Sequence, residues 1–70
     1  MATTDDDRPF PRAIGNPATG ALLHAGITDL DQVAARTERE VLALHGVGPK
    51  AIRILREALA ERGQAFAPEA

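Results

Sequence analysis

The segment Gly46-Val47-Gly48-Pro49 separates two stretches of helical patterning and requires a helix, a tight turn and a second helix within residues 38–62. Before it, Thr37-Glu38-Arg39-Glu40 has the hydroxyl-to-carboxylate spacing of a capping box, in which each side chain satisfies an orphan N–H at the helix start. That spacing predicts a helix over 38–44. After it, Pro49 suits the first helical position, where its missing N–H removes no hydrogen bond. Gly63 suits the left-handed residue that stops a helix, so the second helix is predicted over 49–62. Ile52, Leu55 and Leu59 recur at spacings of three and four, with Ala51 and Ala58 beside them, whereas Lys50, Arg53, Arg56 and Glu57 fall mostly elsewhere. Ile54 lies about 200° from Ile52 on a helical wheel and is expected at the edge of the core. Val47, apolar between two glycines, is expected to plug the turn into the core.

The remaining signals are also helical. Asn16-Pro17 has the form of an N-cap followed by proline, and Gly26 that of a left-handed stop after Ala25. Thr28-Asp29-Leu30-Asp31 opens another short helix with a side-chain oxygen at the cap. No alternating apolar run bounded by turn residues reads as a strand. The expected fold is all-α, a compact bundle of four or five short helices. Residues 1–12 read as a disordered acidic leader docked through Phe10, residues 13–66 as the domain, and residues 67–70 as a tail.

Composition narrows the function classes. Only 17 residues are apolar and larger than alanine, enough for one small core. A ligand cleft of roughly 300–1,000 Å³ is hard to enclose with so few. No Ser/His/Asp or paired-carboxylate arrangement has a catalytic setting, so the chain is expected not to be an enzyme. With no cysteine and two histidines, a disulfide scaffold, a thiol nucleophile and a Cys/His zinc site are excluded, and no metal or cofactor is expected. His24, one residue before the expected helix end, receives no ligand role. The start of the chain is acidic, unlike a secretory signal, and no apolar run approaches the ~18 residues of a membrane span. The expectation is a cytoplasmic protein with no membrane or small-molecule partner.

The glycine-containing turn carries the chemistry. Glycines at 46 and 48 permit torsions closed to other residues and close approach of a ligand. Amide groups at the start of the following helix point outward at the positive end of its dipole, a site suited to a phosphate. Pro49 has no N–H, so the expected donors are Gly48, Lys50 and Ala51, with the Lys50 and Arg53 charges beside them. His45, Gly46 and Val47 complete the candidate DNA-binding set, with His45 placed to reach a phosphate. A shift of 33 positions aligns Ile14, Gly15, Ala18 and Leu22 with Val47, Gly48, Ala51 and Leu55. This describes a second, degenerate hairpin in which Gly15, Asn16 and Ala18 are the candidate contacts. Pro17 stands there in place of Lys50, which makes it the weaker electrostatic partner.

Val41-Leu42-Ala43-Leu44-His45-Gly46-Val47-Gly48-Pro49-Lys50-Ala51-Ile52 resembles the helix-hairpin-helix motif. Together with Leu22-Leu23-His24-Ala25-Gly26-Ile27, Thr28-Asp29-Leu30, Arg36-Thr37-Glu38-Arg39-Glu40-Val41-Leu42 and Leu59-Ala60-Glu61-Arg62-Gly63, residues 13–66 are similar to the C-terminal domain of the bacterial RNA polymerase alpha subunit. The resemblance implies a SAM-like four-helix domain with paired hairpins that contacts DNA, sigma factor or activators in transcription. Its hairpin contacts fall on Gly48, Lys50 and Ala51. Its first-helix arginine and asparagine are replaced by Pro17 and Gly20, so minor-groove reading by an inserted arginine is not expected. A free-standing bacterial relative is expected rather than a polymerase subunit.

Charge qualifies that picture. Residues 13–66 carry six basic and six acidic side chains, and the expected last helix is net +2. Pairs such as Arg53–Glu57 are expected on its surface. DNA contact would then be directed at the backbone, weak and without strong sequence preference, neutralising about two to four phosphates. The alternative is a protein–protein interaction adaptor on the same scaffold in transcription or repair. Asp5-Asp6-Asp7 reads either as a solubilising tail or as a phosphate mimic covering the basic helix.

Overall fold

A computed structural model describes residues 10–69. A 3₁₀ turn, Arg12–Ile14, leads into α1 (Gly15–His24), α2 (Leu30–Ala34), α3 (Glu38–Leu42) and α4 (Pro49–Glu61). The described residues contain no strand; Thr37 and Ala67 form one isolated parallel bridge. The all-α expectation holds. No helix among the described residues is long and apolar enough to cross a membrane.

Local chemistry explains most boundaries. Asp29 is extended and accepts the Gln32 N–H at 2.9 Å, which caps α2. Thr37 accepts the Glu40 N–H at 3.0 Å, and the Glu40 carboxylate accepts the Thr37 N–H at 2.9 Å, so the capping box forms in both directions. Gly26 and Gly63 follow the ends of α1 and α4 with φ of +83° and +74°, as their stop roles require.

Two helices differ from expectation at an end. Asn16 does not cap α1: the helix already includes Gly15, and no side chain caps it. Gly15 (φ +86°, ψ 164°) turns the chain by itself, which leaves Asn16 and Pro17 inside the first turn. Thr19 Oγ1 donates to the Gly15 carbonyl at 2.9 Å. Helix α3 ends at Leu42 rather than Leu44, because the chain tightens into three-residue turns: Leu44 N–H donates to Val41 O and Val47 N–H to Leu44 O, each at 3.1 Å.

The core is one cluster. Phe10, Ile14, Ala18, Leu22, Ile27, Val33, Val41, Val47, Ala51, Ile52, Leu55 and Leu59 are buried, and among the described residues no polar side chain is buried with them. Ile54 is half-buried against this cluster, as the helical wheel requires. The 33-residue shift pairs residues of like burial: Ile14 with Val47, Ala18 with Ala51, and Leu22 with Leu55. The backbones do not repeat, because Gly15 has φ +86° whereas Gly48 has φ −112°.

Both edges of the folded unit extend past residues 13–66. Phe10 is only 4% exposed, in keeping with a leader docked there, and the 3₁₀ turn that follows packs on α4. At the other end, Ala67 N–H donates to the Arg36 carbonyl at 2.9 Å, and Glu69 accepts the Arg39 N–H at 3.3 Å. The segment after α4 is thereby tied to the α2–α3 connection. Asp5–Asp7 lie outside the described residues.

Asp31 closes a second tie. Its carboxylate accepts from Gln64 Nε2 at 3.1 Å and from Arg62 Nη2 at 2.8 Å. The Gln64 hydrogen bond, and then the Arg62 charge, hold this carboxyl below its ordinary pKa. A folded-state pKa below the unfolded one makes the contribution complete above the unfolded value and removes it as pH falls through the folded value. Asp31→Asn is therefore expected to lower the thermal midpoint at about pH 7 and to change it less at about pH 2. Equal losses at both pH values would show that charge is not the cause.

Candidate nucleic-acid interface

The α3–α4 turn is built around Val47 and Gly46. Val47 is buried and its N–H is spent on Leu44 O, so its part is to anchor the turn rather than to offer a donor. Gly46 has φ +102°, and its backbone lies so close to α1 that a Cβ there would sit 2.8 Å from the Pro17 carbonyl oxygen and 3.4 Å from Ala21 Cβ. The turn before α4 is thus seated on the first turns of α1.

Gly48 corrects the expectation of special torsions at both glycines. Its φ of −112° and ψ of 178° are ordinary extended values, and a Cβ there would meet nothing within 4 Å. Its importance is as the N-cap of α4, where it brings no side-chain oxygen. This separates α4 from the two short helices before it. Asp29 and Thr37 occupy the starts of α2 and α3 with their own oxygens, and acidic residues stand in those first turns. Helix α4 has neither a capping side chain nor an acidic residue in its first turn. Among the described residues the amides of Gly48, Lys50 and Ala51 have no protein acceptor, while Ile52 N–H makes the first helical bond, to Gly48 O at 3.1 Å.

Side-chain charge gathers at the same end. Arg56 pairs with Glu38 at 2.8 Å and Arg62 with Asp31 at 2.8 Å, and Arg39 lies 3.7 Å from Glu69. The expected Arg53–Glu57 pair does not form. Glu38 draws in Arg56 instead, from α3, and Arg53 is left exposed. Lys50 is also exposed, and among the described residues neither Lys50 nor Arg53 has an ion-pair partner. Helix α4 itself is net +1, and its unpaired cations among the described residues, Lys50 and Arg53, both lie in its N-terminal half.

The other candidates divide. His45 is exposed on the turn. His24, to which the sequence assigned no role, lines the same shallow groove as His45, together with Gly20, Ala21, Ala25 and Leu44. No spacing rule links residues 24 and 45; only the seating of the turn on α1 brings them together. At the start of α1 Ala18 is buried, Asn16 exposes a neutral amide side chain and Pro17 supplies no charge, so Gly15, Asn16 and Ala18 bring no cation to a phosphate. Among the described residues no three His, Asp or Glu side chains are grouped so as to hold a metal ion. Comparison with family models, with curated proteins and with solved structures found no match to this chain.

Proposed function

We propose that the chain is a non-catalytic nucleic-acid-binding module that holds DNA by its phosphate backbone at the start of α4. One observation carries this reading: among the described residues the Gly48, Lys50 and Ala51 amides have no acceptor or capping oxygen, and Lys50 and Arg53 have no ion-pair partner. A phosphate oxygen placed there accepts from the amides, gains from the helix dipole and meets the Lys50 and Arg53 charges. Gly48 matters because a cap without a side chain leaves room for the anion. Pro49 sets the helix start without competing as a donor. Such contacts fix position on a duplex and carry no base sequence. The helix-hairpin-helix resemblance agrees with this arrangement, and Pro17 in the first motif agrees with a grip on the backbone alone.

A titration of labelled protein with a short DNA duplex tests the proposal. Amide shifts are expected within Gly46–Arg53 and are expected to weaken with salt, with a log–log slope of about −2 to −4 for two to four phosphates. Lys50→Glu is expected to weaken binding roughly tenfold at low salt with an unchanged far-UV spectrum, because the exposed Lys50 side chain supports no packing. Unchanged spectra at about millimolar duplex would remove the proposal. They would favour a protein-interaction adaptor, for which the exposed Leu23 (46%) and Leu42 (42%) are the supporting observation.

A further inference from the structure

Charge is divided unevenly along this chain. Residues 10–69 carry seven basic and seven acidic side chains, so the excess acid lies before them, in Asp5, Asp6 and Asp7 against Arg8. That segment runs into Phe10, whose burial fixes its end to the core, and the 3₁₀ turn that follows packs directly on α4. Counting back from Phe10, Asp7 is within about 10 Å and Asp5 within about 17 Å of extended chain. Helix α4, with its 13 residues, is about 20 Å long. Three carboxylates are therefore tethered close in sequence to a turn that packs on α4.

The helix offers them one favourable half. Glu57 and Glu61 repel acid from the C-terminal part, and Arg56 and Arg62 are already engaged by Glu38 and Asp31. Lys50 and Arg53, exposed and without an ion-pair partner among the described residues, stand in the N-terminal part, where the dipole adds to their attraction. The opposite terminus makes a tie of the same type, since Glu69 returns to Arg39.

We propose that Asp5–Asp7 dock on the Lys50/Arg53 face of α4 and occupy it in competition with phosphate. The competition rests on the nucleic-acid reading above, whereas the docking itself can be observed without DNA. Amide spectra of the full chain and of Asp5→Asn/Asp6→Asn/Asp7→Asn are to be compared at about 20 mM and about 0.5 M salt. Shift differences are expected at Lys50–Arg53 in low salt and are expected to vanish in high salt. They are also expected to vanish when both chains carry Lys50→Glu/Arg53→Glu. Differences confined to Arg8–Ile14, or persisting in that charge-reversed background, would overturn the docking.

With a DNA duplex at low salt, the asparagine variant is expected to bind about three- to tenfold more tightly, the factor by which a mostly covered site lowers apparent affinity. Equal affinities would overturn the competition. Leader-dependent shifts at Lys50–Arg53 with no duplex binding by either chain would support the docking and refute the nucleic-acid reading alone.

Discussion

Gly46→Ala is expected to destabilise the fold by about 2–4 kcal/mol and Gly48→Ala, an N-cap change, by no more than about 1 kcal/mol, although both glycines belong to one four-residue turn. Two separate costs meet at Gly46. Its φ of +102° is unfavourable for any residue with a Cβ, and the added methyl would lie 2.8 Å from the Pro17 carbonyl oxygen. That oxygen belongs to the backbone of α1 and cannot swing aside as a side chain can. Relief requires the turn to lift from α1, which also draws Val47 out of the core. At Gly48 the torsions are ordinary and the space is open. For a domain of this size each kcal/mol moves the melting temperature by roughly 4–8 °C, so the first variant should melt at least about 8 °C lower and the second no more than a few degrees lower. Similar midpoints for the two variants would contradict the seating of the turn on α1.

Leu55→Ala is expected to cost about 2–5 kcal/mol, the range for removing a fully buried leucine and leaving a cavity. Leu55 is completely inaccessible and lies in the middle of α4, in the same cluster as Leu22, Val33, Val41 and Leu59. Around sixty folded residues carry a total stability of only about 3–9 kcal/mol. The variant should therefore be partly or wholly unfolded at room temperature, as judged by helical circular dichroism and urea titration. Leu42, 42% exposed, is the internal comparison, and its replacement by alanine is expected to change stability by less than about 0.5 kcal/mol. A loss below about 1 kcal/mol at Leu55 would mean that α4 does not organise the core.

Helix starts with side-chain caps were legible because the capping group and its amide lie three residues apart. Thr37 with Glu40, and Asp29 with Gln32, need no distant partner. The apolar stripe of α4 was legible for the same reason, since helical spacing alone places Ile52, Leu55 and Leu59 together. Asn16 was misleading because its capping geometry depends on the torsions of Gly15, which the preceding 3₁₀ turn sets. The C-terminal end of the domain was harder still. Glu69 looks like part of a polar terminus, and only its partner in space shows that it belongs to the fold.

For the candidate interface, the sequence alone determined that a turn with Val47 at its centre precedes a helix beginning at Pro49, with Lys50 and Arg53 in its first two turns. These are consequences of local torsion and helical period. Tertiary structure decided that Gly46, rather than Gly48, must be glycine, because the obstructing oxygen belongs to Pro17, 29 positions earlier in the chain. It also decided which cations are left unpaired among the described residues, by bringing Glu38 to Arg56 and Asp31 to Arg62. Residues distant in sequence meet only when the single core closes, and no short-range pattern encodes which charges that closure will pair.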